Sequence, residues 1–79
     1  MDIKVALVQA GACASYAEAC ERVVSGDVKL NGKVVDYPWR LVRGGFYEMK
    51  VRHVGVFRFN IRLGKIDKIK AKKVAEIDG

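Results

Sequence analysis

The sequence predicts an α+β domain in which two short N-terminal helices pack on a small, mostly antiparallel sheet. Apolar residues recur at helical spacing in the first part of the chain, the pair Asn31-Gly32 separates two short apolar stretches, and apolar and polar residues alternate from Val56 to Leu63. Helical spacing marks a helix with one apolar side, whereas alternation marks a strand with one buried face. We therefore expect the sheet to begin with a hairpin at Asn31-Gly32.

The length of 79 residues is enough for one domain but leaves no room for an enzyme built around a cleft. Hydrophobic residues make up 51% of the chain and charged residues 30%, which is typical of a folded domain rather than a disordered tail. The first helix has no apolar run longer than Val5–Val8, and the sequence shows no cationic leader with a cleavage site. We expect a soluble, cytoplasmic domain without membrane contact.

The first helix is predicted to begin after Asp2, whose carboxylate can accept from the free N–H groups of the first turn. Ile3, Leu7 and Ala10 repeat at helical spacing, and Gly11 provides a typical left-handed stop. A short loop is expected to follow.

The second helix is predicted to span Tyr16–Ser25 and to end at Gly26. Ser15 and Glu18 form a capping-box pattern before it, in which the hydroxyl accepts from the backbone three residues on and the carboxylate reaches back. The residues expected on its buried side are Ala19, Val23 and Cys20.

After the second helix, the chain is predicted to form a hairpin and then a loop. Asn31 and Gly32 both tolerate positive φ, so a type I′ turn closes the hairpin. The segment Asp36–Gly45 contains the only proline, Pro38, and is predicted to be a loop. The adjacent Trp39 has two interpretations, a surface that stacks on a nucleobase or an aromatic that fills one end of a small core, and we favour the second.

Two further strands are predicted, one from Phe46 to about Arg52 and one from Val56 to Leu63, with a turn at His53–Gly55 between them. In the second strand the residues expected to face the core are Phe57, Phe59, Ile61 and Leu63, and those expected to face outward are Arg58, Asn60 and Arg62. The outward face is polar and basic. It fits either a solvated surface or a binding surface.

The predicted domain covers residues 1–64, and residues 65–79 form a lysine-rich tail. The tail has two alternatives. It forms a helix if its four apolar residues share a face, or it extends the sheet and then frays. Those apolar residues are Ile66, Ile69, Val74 and Ile77.

The residue chemistry does not favour catalysis, a metal site or a cofactor. Cys13 and Cys20 are too few for a disulfide framework, and with His53 as the only histidine they cannot complete a closed zinc site. We favour buried, reduced thiols over a redox role because no basic residue directly adjoins either cysteine. His53 has no acid or nucleophile close in sequence and is expected to be a turn residue.

The positive charge is concentrated in the second half of the chain. Residues 1–39 carry four basic against five acidic side chains, a net of −1, whereas residues 40–79 carry eleven against four, a net of +7. Such an excess attracts polyanions, above all phosphate backbones, although charge alone also fits an anionic membrane surface or a protein that is merely soluble.

The helices and hairpin resemble the S-four-type RNA-binding domain, a small module named after a ribosomal small-subunit protein. The resemblance covers roughly residues 2–52 and is closest to the C-terminal domain of bacterial-type tyrosyl-tRNA synthetases. The matching residues are Ile3, Leu7, Gly11, Ser15, Glu18, Ala19, Gly26, Val28, Leu30, Asn31, Gly32, Val35, Val42, Gly44 and Val51.

This resemblance implies a non-catalytic module that docks on structured RNA, such as tRNA or rRNA, by shape and backbone contacts. Duplex RNA offers mainly phosphates and ribose hydroxyls to a protein, because its deep major groove hides the base edges. Ser15, Lys29, Lys33 and Arg43 fall within or beside the family's contact surface. With Tyr16 and three further arginines added, the candidate RNA-binding residues are Ser15, Tyr16, Lys29, Lys33, Arg40, Arg43, Arg58 and Arg62.

The sequence departs from the family on the helices. Asp2 and Tyr16 stand where many members have basic residues, and Cys20 and Glu21 replace side chains that are often basic in the synthetase versions. Each missing cation removes a phosphate partner, so we expect the helical surface to bind RNA weakly and the basic strands and tail to supply much of the attraction.

Two functions remain open. The first is an RNA-binding module on which Tyr16 stacks against a base or ribose. The second is a protein that kept the fold, lost the RNA surface and joins a larger protein or ribonucleoprotein assembly through the hairpin or Tyr16. We favour the first because the net charge of +7 in residues 40–79 is otherwise hard to explain.

Overall fold

The computed structural model describes residues 1–67 and 72–75. The elements in chain order are α1 (Ile3–Gln9), α2 (Tyr16–Val24), β1 (Val28–Leu30), β2 (Lys33–Val34), β3 (Gly45–Val51), β4 (Gly55–Arg62), β5 (Lys65–Ile66) and β6 (Lys72–Ala75). This arrangement confirms the predicted α+β class, with two short helices followed by an antiparallel sheet that begins at the Asn31-Gly32 hairpin.

Local hydrogen bonds fix both ends of α1. The Asp2 carboxylate caps its start by accepting from the Val5 backbone N–H at 3.1 Å. At its end, Gly11 has a φ of +84° and donates to the Val8 carbonyl, while Ala12 donates to the Leu7 carbonyl. This pair of bonds is a Schellman motif, which needs a left-handed residue and therefore favours glycine.

The second helix begins and ends in a similar way. The Ser15 hydroxyl accepts from the Glu18 N–H at 3.1 Å, as the capping-box pattern predicts. The Glu18 carboxylate reaches back to the N–H of Ala14, one residue before the one that a standard capping box uses. Gly26 again takes the left-handed position, with a φ of +77°, so the helix ends at Val24 and Ser25 is its cap.

The sheet has the strand order β2-β1-β3-β4-β5, and every pairing is antiparallel. β6 also pairs with β4, on the edge that β5 uses. The first hairpin has Leu30 opposite Lys33, and its turn residues Asn31 and Gly32 have φ values of +50° and +84°, as a type I′ turn requires.

The core lies between the helices and one face of the sheet. Ile3, Leu7 and Val23 from the helices pack in one cluster with Met49 of β3 and Phe59 of β4, and all five are fully buried. No polar or charged side chain among the described residues is buried with them. Within residues 1–67 and 72–75, no helix covers the other face of the sheet.

The prediction for Leu63 is wrong. The alternation holds for Phe57, Phe59 and Ile61, which are buried, but Leu63 is 92% exposed. β4 ends at Arg62, and Leu63 is the first residue of the two-residue turn to β5, where its φ is +54°. A residue in the left-handed region no longer follows the pleat of the strand, so its side chain leaves the core.

The favoured interpretation of Trp39 is also wrong. Trp39 is 59% exposed and packs against Tyr37, with ring centroids 5.4 Å apart. The neighbouring Pro38 is buried instead. The loop is held to the start of α1 by backbone bonds from Ile3 to the Arg40 carbonyl and from Val42 to the Met1 carbonyl, which fixes Pro38 rather than Trp39 toward the interior.

Part of the tail extends the sheet. Ile66 lies in β5 and Val74 in β6, so these two residues belong to strands and not to one helix. Ile69 and Ile77, on which the helical alternative also depended, lie outside the described residues. A turn between β3 and β4 is present, but it lies one residue earlier than the predicted His53–Gly55, because β3 ends at Val51 and Gly55 is already the first residue of β4.

Candidate nucleic-acid interface

The face of the sheet that points away from the helices is called the open face below, and its residues are exposed or half-buried. It is formed by the alternate residues of β1 to β5 that do not enter the core, as the cross-strand register establishes. The residues of the open face are Lys29, Val34, Phe46, Glu48, Lys50, Val56, Arg58, Asn60, Arg62 and Lys65.

The charge of the open face is strongly positive. Five of its residues are basic and one, Glu48, is acidic, which gives a net of +4. A second carboxylate, that of Asp67, follows β5 at the edge of the sheet, where the Asp67 N–H donates to the Asn60 carbonyl. The excess of positive charge remains when Asp67 is included.

Two pairs of like charges lie directly opposite each other on the open face. Lys29 of β1 is in register with Lys50 of β3, and Arg62 of β4 is in register with Lys65 of β5. Opposed residues of antiparallel strands have their Cβ atoms about 4.5–5.5 Å apart, and like charges at that position are destabilising. A bound anion between them would remove this repulsion.

Arg58 is the one open-face cation with an ion pair among the described residues. Its Nη2 and Nε atoms lie 3.0 and 3.1 Å from the same carboxylate oxygen of Glu48, directly across the β3–β4 pair. Both side chains are substantially exposed, so the pair stabilises the fold by at most about 1 kcal/mol. Arg58 therefore keeps N–H groups that face solvent.

An exposed aromatic ring lies among these charges. Phe46 of β3 is 62% exposed and is in register with Asn60 of β4. Because Asn60 lies between Arg58 and Arg62 along β4, both arginines take diagonal positions to Phe46, within reach of an aromatic ring. The next residue, Tyr47, turns to the other side and packs on Phe59.

The open face brings together three of the predicted RNA-binding residues, which are Lys29, Arg58 and Arg62. Lys33 lies beside them at the hairpin edge, but its register partner is the buried Leu30, so it belongs to the helix side of the sheet. The eight candidates therefore do not form a single cluster.

The remaining predicted residues lie at two other places. Ser15 and Tyr16 are at the start of α2, where the Ser15 hydroxyl is engaged in capping and Tyr16 is exposed. Arg40 and Arg43 are exposed in the loop before β3, and both use their backbone carbonyls as acceptors, from the Ile3 N–H and from the Tyr47 hydroxyl. The Tyr47 bond, 2.8 Å long, holds this loop to β3.

Sequence reasoning did not select Phe46, Lys50 and Lys65 as site residues. The alternation that identified Arg58 and Arg62 also runs through β3, where Phe46 and Lys50 alternate with buried Met49 and Val51. That signal was present but incomplete, because the pairing of β1 with β3 decides that Lys50 meets Lys29.

The two cysteines lie outside the open face. Burial raises the pKa of the Cys13 thiol, and the nearby Glu18 carboxylate adds to the effect, so Cys13 is a protonated thiol at neutral pH. Cys20 is half-buried. Within residues 1–67, no group of three or more histidine, cysteine or carboxylate side chains could hold a metal ion.

No helix in the described part of the chain has the length and apolar character needed to cross a membrane. Comparisons with protein-family models, with curated proteins and with solved structures found no match to this chain.

Proposed function

We propose that this protein is a small, non-catalytic RNA-binding module that docks on structured RNA, such as tRNA or rRNA, through the open face of its sheet. The observation that carries the proposal is the opposition of like charges on that face. Lys29 with Lys50 and Arg62 with Lys65 are kept together although each pair repels. A surface that lowers the stability of the free protein in this way is suited to a polyanion.

The resemblance of the helices and hairpin to S-four-type domains supports the same class of ligand, and so does the net charge of +7 in residues 40–79. The proposal differs from the family expectation in the surface used. Asp2, Tyr16 and Glu21 leave the helices with little positive charge, whereas the open face has the cations. A cytoplasmic location, where tRNA and rRNA are abundant, is part of this proposal.

The test is a titration of labelled tRNA and of a structured rRNA fragment at several salt concentrations. We expect micromolar or tighter binding that weakens with salt, because each phosphate that the protein neutralises releases counterions. The double substitution Arg62→Gln and Lys65→Gln should weaken binding. It should also reduce the magnitude of the negative slope of log K against log salt by about 0.7–0.9 for each phosphate that is no longer neutralised.

Arg22→Gln is the matched control for the removal of a positive charge, since Arg22 lies on α2 and its ion-pair partner is Asp27 at 3.8 Å. It should leave both affinity and slope nearly unchanged. Because the control removes one positive charge and the double variant removes two, losses of binding free energy that are equal per charge removed would mean that net charge alone attracts RNA. No binding by the unmodified protein at low salt would reject the proposal.

A second function, docking on a protein, is favoured by one observation on α2. Tyr16, Cys20 and Val24 recur every fourth residue and form a stripe along the helix, in which Tyr16 is 56% and Val24 is 67% exposed. Such a stripe is typical of a helix that meets a partner. A native complex that survives both nuclease and high salt, and that Val24→Lys disrupts, would support this function.

A further inference from the structure

We propose that Phe46 stacks on an unpaired base of the bound RNA, so that the ligand of the open face is a single-stranded stretch, such as a loop or bulge, rather than an uninterrupted duplex. The inference rests on the proposed function and specifies its ligand. It departs from the expectation of pure backbone and shape recognition, because a base face would be in direct contact with the protein.

Phe46 lies outside the hydrophobic core and is not among the partly buried residues that pack against it. Its ring is 62% exposed, whereas the aromatic residues of the core, Phe57 and Phe59, are 4% and 0% exposed. Its strand neighbour Tyr47 has two contacts, the tilted packing on Phe59 and the bond to the Arg43 carbonyl. An exposed ring on the open face offers a flat apolar surface of the kind on which bases stack.

The neighbours of Phe46 provide partners for the rest of a nucleotide. Asn60, directly opposite, has no side-chain hydrogen bond within the described residues, and its amide offers both donors and an acceptor to a base edge. Arg58 and Arg62 take the two diagonal positions, and Arg62 has no ion pair among the described residues. Base and phosphate thus have complementary groups on one surface.

The spacing of the cations suits a single-stranded RNA that lies across the open face. The Arg62–Lys65 pair lies two residues along β4 from the row of Phe46 and Asn60, which is about 7 Å. The Lys29–Lys50 pair lies four residues along β3 in the opposite direction, about 13 Å away. Phosphates on both sides of a stacked base would therefore meet a pair of positive charges.

An uninterrupted duplex cannot make these contacts. Its base faces are covered by neighbouring base pairs, so Phe46 would remain exposed to solvent and Asn60 would reach no base edge. Loops, bulges and ends present splayed bases, and aromatic side chains are their usual stacking partners. This difference separates the two ligands in an experiment.

The experiment measures the affinity of three labelled RNAs of related sequence, which are a single strand, a stem-loop and a blunt duplex. Each is titrated with the unmodified protein, with Phe46→Leu, with Phe46→Trp and with the Arg62→Gln/Lys65→Gln double variant. Leucine keeps an apolar side chain but removes the aromatic face. We expect Phe46→Leu to weaken single-strand and stem-loop binding about 5- to 150-fold without changing the salt slope, because the variant loses stacking and keeps every phosphate partner.

Phe46→Trp keeps an aromatic face at this position, so it should retain or raise the affinity. A 2-aminopurine placed in the loop should lose fluorescence on binding to the unmodified protein and less so with Phe46→Leu. Equal affinity of Phe46→Leu and the unmodified protein for the stem-loop, with a loss in the double variant, would overturn this inference and leave the proposed function standing. No binding of any of the three RNAs by the unmodified protein would instead reject the proposed function.

Discussion

Lys29 and Lys50 lie directly opposite each other on neighbouring antiparallel strands, and neither has an ion pair among the described residues. The nearest carboxylate along β3, that of Glu48, is bonded to Arg58 on the other side. The two ammonium groups therefore repel each other across the β1–β3 pair. This repulsion links the stability of the free protein to its proposed function.

We expect Lys50→Glu to raise the free energy of unfolding by about 0.2–1 kcal/mol, because it converts a repulsive cross-strand pair into an attractive one. The same change should weaken RNA binding, since it replaces a phosphate partner with a like charge. Urea denaturation at low salt measures the first effect, and RNA titration measures the second.

Lys50→Gln is the control, because it removes the repulsion without adding a negative charge. It should give a smaller gain in stability and a smaller loss of affinity. The gain from Lys50→Glu should also shrink in 1 M salt, where screening acts over about 3 Å. A Lys50→Glu protein that is no more stable than the unmodified one at low salt would contradict the repulsion.

The turn between β4 and β5 offers a second gain in stability. Leu63 and Gly64 have φ values of +54° and +71°, close to those of Asn31 and Gly32 in the first hairpin. Leucine has a steric cost in this region that asparagine largely avoids. We expect Leu63→Asn to raise the free energy of unfolding by about 0.5–1 kcal/mol and to raise the melting temperature.

Leu63→Ala is the matched control. It removes the exposed side chain but remains strained in the left-handed region, so it should give little gain. If alanine stabilises the protein as much as asparagine does, the gain comes from removing an exposed apolar side chain and not from relieving the backbone.

The same turn shows where prediction from sequence succeeds and where it stops. Asn31-Gly32 indicates a type I′ turn by residue type alone, and the structure has that turn. Leucine at position 63 does not indicate such a turn by residue type. Its left-handed conformation results from the pairing of Arg62 with Lys65 across the turn. Residue type therefore predicted the first hairpin, whereas in the last one the strand pairing imposes the turn on a leucine that does not favour it.

The candidate site divides in the same way. The alternation in β4 was enough to place Arg58 and Arg62 on one exposed face. The meeting of Lys29 with Lys50 depends on the register of strands that are about 20 residues apart in the chain, which no local pattern encodes. The predicted burial of Trp39 was wrong for a related reason, because the hydrogen bonds that hold its loop to α1 join residues far apart in the chain.

Ser15 caps α2, so a test of its proposed RNA contact must distinguish that contact from its effect on stability. Its hydroxyl accepts from the Glu18 N–H and caps α2. We expect Ser15→Ala to lower the free energy of unfolding by about 1 kcal/mol, because an N–H at the helix start loses its acceptor. Chemical denaturation checks this value.

Ser15→Asn keeps a capping acceptor and should restore most of the stability. If Ser15 also contacts RNA through its hydroxyl, the asparagine variant will be stable but will bind RNA less well. Normal affinity of both variants, measured below their unfolding transitions, would limit Ser15 to its capping function.

The start of α1 gives the fold a dependence on acid pH. Burial by itself raises the pKa of the Asp2 carboxyl, but the hydrogen bonds from the Lys4 ammonium at 3.0 Å and from the Val5 N–H outweigh it, so the pKa lies below its ordinary value of 3.8. A carboxyl with a lower pKa in the folded than in the unfolded state stabilises the fold when ionised. This contribution is complete above about pH 4–5 and is lost as the pH falls through the folded-state pKa.

Asp2→Asn keeps the cap and removes the charge, which makes it the variant that isolates this effect. We expect the unmodified protein to be the more stable of the two at pH 7, by up to about 1 kcal/mol, and the difference to disappear near pH 2. Urea denaturation of both proteins between pH 2 and pH 7 measures the difference. A difference that stays constant over this range would mean that the Asp2 charge does not contribute, and that the cap alone holds the start of α1.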